Sequence, residues 1–497
     1  PPWERVKLQE QEFFAARSPE IAGAPNAAAR TRAIKALEKA NPELHAEFRE
    51  ALREAEGSSQ LLRLTRRFPL CGKGDVNTYA VFAELNRTLI GHMGRAGFIV
   101  PTGIATDDTT KEFFSDLMTR GHLAAFLGFE NEGKLFAGID HRVNFCLLVY
   151  SMRGTLEPSF AAFVRHPEVL EEPDRVYKLS AADIATLNPN TRTCPVFRTR
   201  RDAEINLGIY RRTGVLWRED DPEGNPWGIR FLRMLDMAND SSHFRTRRQL
   251  EGAGHRLDGN RFVGPAGAYT PLLEAKMVFH FNHRYGDFAL LAPGEREHIL
   301  PQVAAEKLSD PDYLTMPRYW VDEREVASRL EGVWSRGWLL GWRDVTDARS
   351  SARTTVPCVV PRTAVGDKFL LMLPSESPWL IACLYGNLCS FVLDYCSRQK
   401  VGGTALKYFT MRQIPVLAPE CYAVPSPWDP GIVLHEWIRP RILELSATAS
   451  DMKPFAEDLG YTGAPFRWDE TRRLRLRCEL DAAFFHLYGI PRADVDY

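Results

Sequence analysis

The chain opens on Pro1-Pro2-Trp3, followed by Glu4, and these residue types suit the grip of a planar ring that bears an amine. An amine attached to an aromatic ring is a poor nucleophile because its lone pair is delocalised. It becomes reactive when acceptors take hydrogen bonds from its two N–H groups as the nitrogen turns tetrahedral. A side-chain amide oxygen and a backbone carbonyl can do this without a strong base. Tandem prolines hold such a backbone extended and remove the competing N–H donors. Trp3 supplies the largest side-chain face on which an unstacked ring can lie. The same triplet also serves as a rigid turn over a core, so its surroundings must decide between the two.

Other apparent chemistry falls away on inspection. Gly128 to Lys134 matches G-x-x-x-x-G-K, but Leu135 stands where a phosphate loop needs Ser or Thr for magnesium, and Glu130 and Glu132 repel phosphate. His280 and His283 lack a carboxylate or Cys partner at metal-ligand spacing and read as structural. Glu274-Ala275-Lys276 is too short a match to a metal-dependent nuclease motif to count. The nine cysteines contain no CxxC pair, so no metal is expected and reduced thiols are.

A chain of 497 residues with 44% hydrophobic content can bury several cores, and its length suggests roughly three domains. Lys plus Arg number 63 against 64 Asp plus Glu, so any nucleic-acid surface must come from local segregation of charge. Two basic clusters offer this: Arg198, Arg200 and Arg201, and then Arg245, Arg247 and Arg248. Each sits among Thr, Ser, His or Phe that can reach phosphates or base edges, and each reads equally as a solvated charged face. No apolar run approaches bilayer length and no secretion signal opens the chain, so the reading is cytoplasmic with no membrane partner.

Local patterns give the elements that must position these groups. Residues from about 25 to 64 are rich in Ala, Glu, Lys, Arg and Leu and predict a helical insertion. Asp75 is the expected N-cap of a helix with Tyr79, Phe82, Leu85 and Leu89 on one face, ended by Gly91, Gly94 and Gly97. Phe98-Ile99-Val100, closed by Pro101, predicts a strand in a parallel sheet. Thr110 to Thr119 reads as helix and Phe145 to Tyr150 as another strand. Turn residues multiply at Leu187-Asn188-Pro189-Asn190, and Trp437 to Tyr488 is mostly helical.

Five blocks, in order, resemble the large Eco57I-like adenine methyltransferases, a family that includes type IIG restriction-modification enzymes and the methyltransferases of BREX and DISARM phage defence. They are Pro1 to Gln9 with Glu12-Phe13-Phe14; Gly74 to Phe82 with Gly94 to Gly103; Phe129-Glu130-Asn131 to Leu135-Phe136 with Asp140-His141-Arg142 and Phe145; Leu187 to Thr191 with Phe197 to Glu204; and Arg398 to Thr404 with Tyr408-Phe409 and Ile414-Pro415-Val416. The resemblance runs over nearly the whole chain.

The resemblance implies an α/β fold: a partial Rossmann-like, S-adenosylmethionine-dependent methyltransferase sheet over 1–188, an α+β target-recognition domain over 189–425 and a helical segment over 426–497. It implies catalytic roles for Pro1, Pro2, Trp3 and Phe136, the last packing against an extruded base. Phe82 and Tyr79 would border the cofactor, and the two arginine clusters would meet double-stranded DNA. The implied reaction is methyl transfer to adenine N6, with other restriction or phage-defence subunits as further partners. Relatives carry an Asn before the two prolines and hold most of their cofactor motifs further upstream. The chain is therefore expected to be a piece of a longer enzyme that neither binds the cofactor tightly nor methylates by itself, with any nuclease upstream. Two alternatives stay open: a non-catalytic DNA-recognition subunit, and a cytosine-N4 or RNA-directed enzyme, because both bases present an exocyclic amine.

Overall fold

The computed structural model describes residues 2–25, 27–154, 157–292, 294, 299–346, 351–401 and 404–497. The fold is mixed α/β, and the chain forms two compact units, Pro1–Leu207 and Gly208–Tyr497.

The first unit is built on a five-stranded sheet: β1 (Arg95–Pro101), β2 (Leu123–Glu130), β3 (Asn144–Ser151), β4 (Ser159–Val164) and β5 (Tyr177–Lys178), in the order β1-β3-β2-β4-β5. β1 and β2 point the same way because the helix Lys111–Thr119 carries the chain back between them, as in any crossover. β3, the return strand after β2, fills the gap and runs antiparallel to both. This corrects the expectation that the Phe98 strand has parallel neighbours, since its partner β3 is antiparallel. The strand β2 carried no prediction at all. Parallel pairing remains between β2 and β4.

Period-two alternation sorts the sheet's apolar residues onto two faces. Phe126 and Leu148, both buried, belong to one face, and Phe114 of the helix Lys111–Thr119 packs on Phe126 with ring centroids 6.5 Å apart. On the opposite face, Phe129 of β2, Phe145 of β3 and Ala161 and Val164 of β4 form a second cluster. The register sets Phe145 opposite both Pro101 and Phe129, and Val164 opposite Phe129. The carboxyl ends of β1, β2 and β4 therefore converge where β3 begins.

The predicted insertion is a pair of helices, Ala27–Ala40 and Pro42–Leu64. The break between them has a local cause: Asn41 caps the second helix by accepting the Leu44 N–H at 3.2 Å, and Pro42, which cannot donate, takes its first position. Phe14, Ile21, Ile34, Leu37 and Phe48 make their shared core.

The next helix runs over Thr78–Leu89, and its N-cap is Asn77 instead of Asp75. Its inward face also differs from expectation. Tyr79, Ala80, Val81, Ala83 and Glu84 are buried, whereas Phe82 and Leu89 are exposed. Glu84 explains the turn of the helix: its carboxylate accepts the backbone N–H groups of Leu70 at 3.2 Å and Cys71 at 2.8 Å, which anchors that arc inward.

The second unit is α+β. Pro357–Pro361, Trp338–Arg343, Phe369–Leu373 and Arg230–Leu232 form one antiparallel sheet, and Trp320–Asp322, Gly267–Leu273, Arg261–Gly264 and Arg256–Asp258 form another. The helices Leu434–Ser446 and Glu470–Leu487 confirm the helical reading of the last segment. They belong to this same unit, tied in by the Tyr488 hydroxyl, which donates to the Pro415 carbonyl at 2.8 Å.

Candidate functional site

The opening residues are held by the start of the helix Thr78–Leu89. Val6 donates to the Val76 carbonyl at 3.0 Å and Thr78 to the Glu4 carbonyl at 2.9 Å, so residues 4–6 lie antiparallel to 76–78 like a short strand. The Thr78 hydroxyl works between these backbones. It accepts the Glu4 N–H at 2.9 Å and faces the carbonyls of Pro2 at 2.9 Å and Glu4 at 3.1 Å. Pro1 lies outside the described residues. The sequence pattern alone assigns Thr78 no such role. Its signal was there: a hydroxyl at a helix start is a ready partner for backbone groups.

Trp3 reaches from this tie to the sheet. Its indole Nε1 donates to the Ile99 carbonyl of β1 at 3.4 Å, and its ring packs against the cluster of Phe129, Phe145, Ala161 and Val164. Phe136 comes to the same cluster from the loop between β2 and β3. Its ring meets Phe145 edge-on, with centroids 4.9 Å apart at 78°, while Phe145 stacks on Phe129 at 5.3 Å and 2°. The geometries are those that aromatic quadrupoles favour. Phe136 stays 37% exposed and Trp3 half-buried, so both rings keep area available to a planar partner. Trp3 and Phe136, far apart in sequence, thus share one aromatic cluster at the converging strand ends.

Phe136 is supported from beneath by Asn131, which is fully buried. The Asn131 Oδ1 accepts the Phe136 N–H at 3.0 Å, and its Nδ2 faces the carbonyls of Phe136 and Ile139, each at 3.1 Å. Beside it Glu130 pairs with Arg165 at 2.9 Å, and Lys134 turns the loop with a left-handed φ of 51°. The loop that resembled a phosphate cradle is therefore a strand-to-strand connection within one sheet, packed around a carboxamide. An open groove of about 850 Å³ adjoins Trp3, lined by Glu4 to Gln9 on one side and Ala51, Ala55 and Ser58 on the other.

Of the two residues expected at a cofactor, Phe82 presents a ring that is 39% exposed. Tyr79 is buried near Asp107, and burial followed by that carboxylate raises its hydroxyl pKa well above the ordinary tyrosine value. Gly103, which opens the short helix after β1, stands so close that a Cβ there would meet the Asp107 carboxylate at 2.5 Å and the Tyr79 hydroxyl at 3.2 Å.

The arginines are distributed unevenly. Arg198 lies over the Phe163 ring at 5.1 Å, Arg200 donates to the Pro173 carbonyl at 2.6 Å, and Arg201 pairs with Glu204 at 3.2 Å. In the second unit Arg245 donates to the carbonyls of Ser242 and Phe244, Arg247 pairs with Glu251 at 2.7 Å, and Arg248 is exposed. His280 and His283 have structural partners, the Thr355 carbonyl at 2.6 Å and the Asp451 carboxylate at 2.9 Å. Burial and then the Arg353 charge push the His280 pKa down to about 3.

No protein-family model matches this sequence, and no curated protein matches it. Among solved structures, the type IIL restriction-modification enzyme MmeI, determined in complex with DNA, is similar at 12% identity and a TM-score of 0.38, over 85% of this chain and 51% of that one. The type IIG restriction endonuclease BpuSI is similar at 13% identity and a TM-score of 0.26, over 88% of this chain and 52% of that one. This chain spans about half the length of each. Identities and superposition scores this low do not establish shared chemistry, so the functional reading rests on the residues.

Proposed function

We propose that this chain carries the base-binding and target-recognition parts of a site-specific DNA methyltransferase that acts on adenine N6 in double-stranded DNA. The observation that carries the reading is the convergence of Trp3 and Phe136 on one aromatic cluster at the strand ends, each with ring area left open. A base drawn out of a duplex loses its stacking, and two partly exposed aromatic faces restore it. A backbone carbonyl of the proline pair accepts a hydrogen bond from the amine, and Thr78 fixes that backbone through Pro2 and Glu4.

S-adenosylmethionine, when bound, supplies an electrophilic methyl on a sulfonium. Phe82 fits beside it, since an apolar ring left 39% exposed on the helix that begins at Thr78 offers a wall for a nucleobase-like moiety. Tyr79, buried one turn earlier on the same helix, would support that wall. The chain's own rings and backbone carbonyl would hold the amine nitrogen in line with that methyl for displacement at carbon, and would let the amine's proton pass to solvent. Such a displacement depends on alignment more than on acid catalysis, which agrees with a site built of rings and carbonyls. Arg198, Arg200, Arg201, Arg245, Arg247 and Arg248 contribute phosphate contacts, Arg248 foremost as an exposed cation.

Sequencing of modified bases in a host that carries the intact gene tests the reading. N6-methyladenine is expected at one recurrent sequence. Trp3→Ala should reduce methyl transfer about a hundredfold and leave binding of that sequence within a few fold, because the ring acts after the base has left the stack. A host genome with no modified base, or a Trp3→Ala protein with full activity, sinks the proposal. N4-methylcytosine in place of N6-methyladenine redirects it to the other amine.

A further inference from the structure

We infer that Asn131 is a positioning residue, one that holds the loop between β2 and β3 so that the Phe136 ring stands at the base-binding cluster. The inference rests on the methyltransferase reading above and deepens it. A carboxamide side chain has one acceptor oxygen and two N–H donors. At Asn131 the oxygen takes the Phe136 N–H at 3.0 Å, and the nitrogen faces two carbonyls at 3.1 Å, those of Phe136 and Ile139. Both backbone groups of Phe136 are thereby held by one side chain, which is itself fully buried.

The rest of the loop would not hold Phe136 by itself. Ile139 donates to the Phe136 carbonyl at 3.1 Å and Lys134 to the Asn131 carbonyl at 2.8 Å, which are turns within the loop. The ring of Phe136 meets Phe145 in a T-shaped contact and leaves 37% of its residue surface in solvent. A ring on a loop that keeps this much contact with solvent is fixed only in part by packing, so the backbone beneath it shares in its placement. Asn131 provides that, because it follows directly on Glu130, the last residue of β2, whose pairing with Asn144 anchors the start of the loop. No other residue type does the same. Asp has the shape but sets a carboxylate oxygen against two carbonyls, Gln is one methylene too long for the buried site, and Ala takes the side-chain partner from the Phe136 N–H and the Ile139 carbonyl, leaving the Phe136 carbonyl only its bond from the Ile139 N–H.

The test uses the intact protein and a duplex containing its methylated sequence. Asn131→Ala, the isosteric Asn131→Asp, Phe136→Ala and the double variant Asn131→Ala/Phe136→Ala are compared in single-turnover methyl transfer. Both Asn131 variants should lose about tenfold to a hundredfold in rate with DNA affinity within a few fold. The double variant should be no slower than Phe136→Ala alone, since the two residues act as one unit. A second readout needs no activity: trypsin should cut after the exposed Lys134 faster in both Asn131 variants, as counted by mass spectrometry of the 134–135 break. Additive losses in the double variant, or unaltered cutting after Lys134, overturn the inference. A wild type that transfers no methyl group sinks the functional reading, and the loop-holding role then stands or falls on the trypsin cut. Should Asn131→Ala not fold, Asn131→Asp carries the comparison.

Discussion

At the scale of single residues, this protein spends buried polar groups on shaping backbone. Glu84 and Asn131, both buried, satisfy main-chain groups that would otherwise be stranded, the half-buried Thr78 ties down exposed backbone, and Thr78 and Asn131 hold the segments that carry Trp3 and Phe136. Asp481 in the second unit is a related case with a measurable titration. Its carboxylate accepts the Phe391 N–H at 2.8 Å, yet burial lifts its pKa from the usual 3.8 to about 6. The folded state then holds a proton more tightly than the unfolded one. The corresponding stability is full below about pH 4 and is lost as pH rises through about 6. Asp481→Asn keeps the acceptor and removes the charge. The variant should therefore match the wild type near pH 4 and exceed it at pH 8, by on the order of 2–3 kcal/mol. Denaturant unfolding at the two pH values measures this, and an equal difference at both rules it out.

At the scale of elements, the same device joins pieces of chain that are distant in sequence. Arg284 is buried in the second unit. It donates to the carbonyls of Asp310 at 2.8 Å, Tyr313 and Leu308 at 2.9 Å and Thr448 at 3.0 Å. It thus stitches the irregular segment around residue 310 to the turn that follows the helix Leu434–Ser446. Arg284→Met, similar in reach but unable to donate, should destabilise this unit by about 3 kcal/mol or more, because buried carbonyls lose their partners. Thermal unfolding reads the loss, and an unchanged midpoint would show that water replaces the guanidinium. The sheet of the first unit shows what element patterns convey. The strand at Phe98 and the helix before it were legible from apolar runs and glycine punctuation. β2 was missed because Gly128 and two consecutive alanines blur its alternation. The buried arc of the helix Thr78–Leu89 was misjudged because Glu84, polar by type, faces inward to cap Leu70 and Cys71.

At the scale of the whole chain, the two compact units divide between Leu207 and Gly208, inside the helix Arg200–Thr213. The turn-rich stretch at Asn188 is a local feature of the first unit: Cys194 donates to the Ala105 carbonyl at 2.8 Å and Arg200 to that of Asp174 at 2.8 Å. The helix itself begins with a reciprocal cap, in which Thr199 Oγ1 receives the Asp202 N–H at 3.1 Å and the Asp202 carboxylate receives the Thr199 N–H at 3.0 Å. A shortened chain that begins at Thr199 keeps this cap, whereas one that begins at Gly208 loses the first two turns of the helix. The former should unfold at the higher temperature, and a tie would mean that the start of the helix contributes nothing to the second unit.

Sequence alone determined the α/β character and the helical insertion, because composition and periodicity act over a few neighbouring residues. Only the tertiary structure decided that β3 lies between β1 and β2, that Phe82 faces outward while Tyr79 is buried, and that Trp3 and Phe136 meet at one cluster. Those outcomes depend on contacts between residues as far apart as Trp3 and Ile99, or Glu84 and Cys71, and on which backbone groups need a partner once water is excluded. Local pattern carries no record of that.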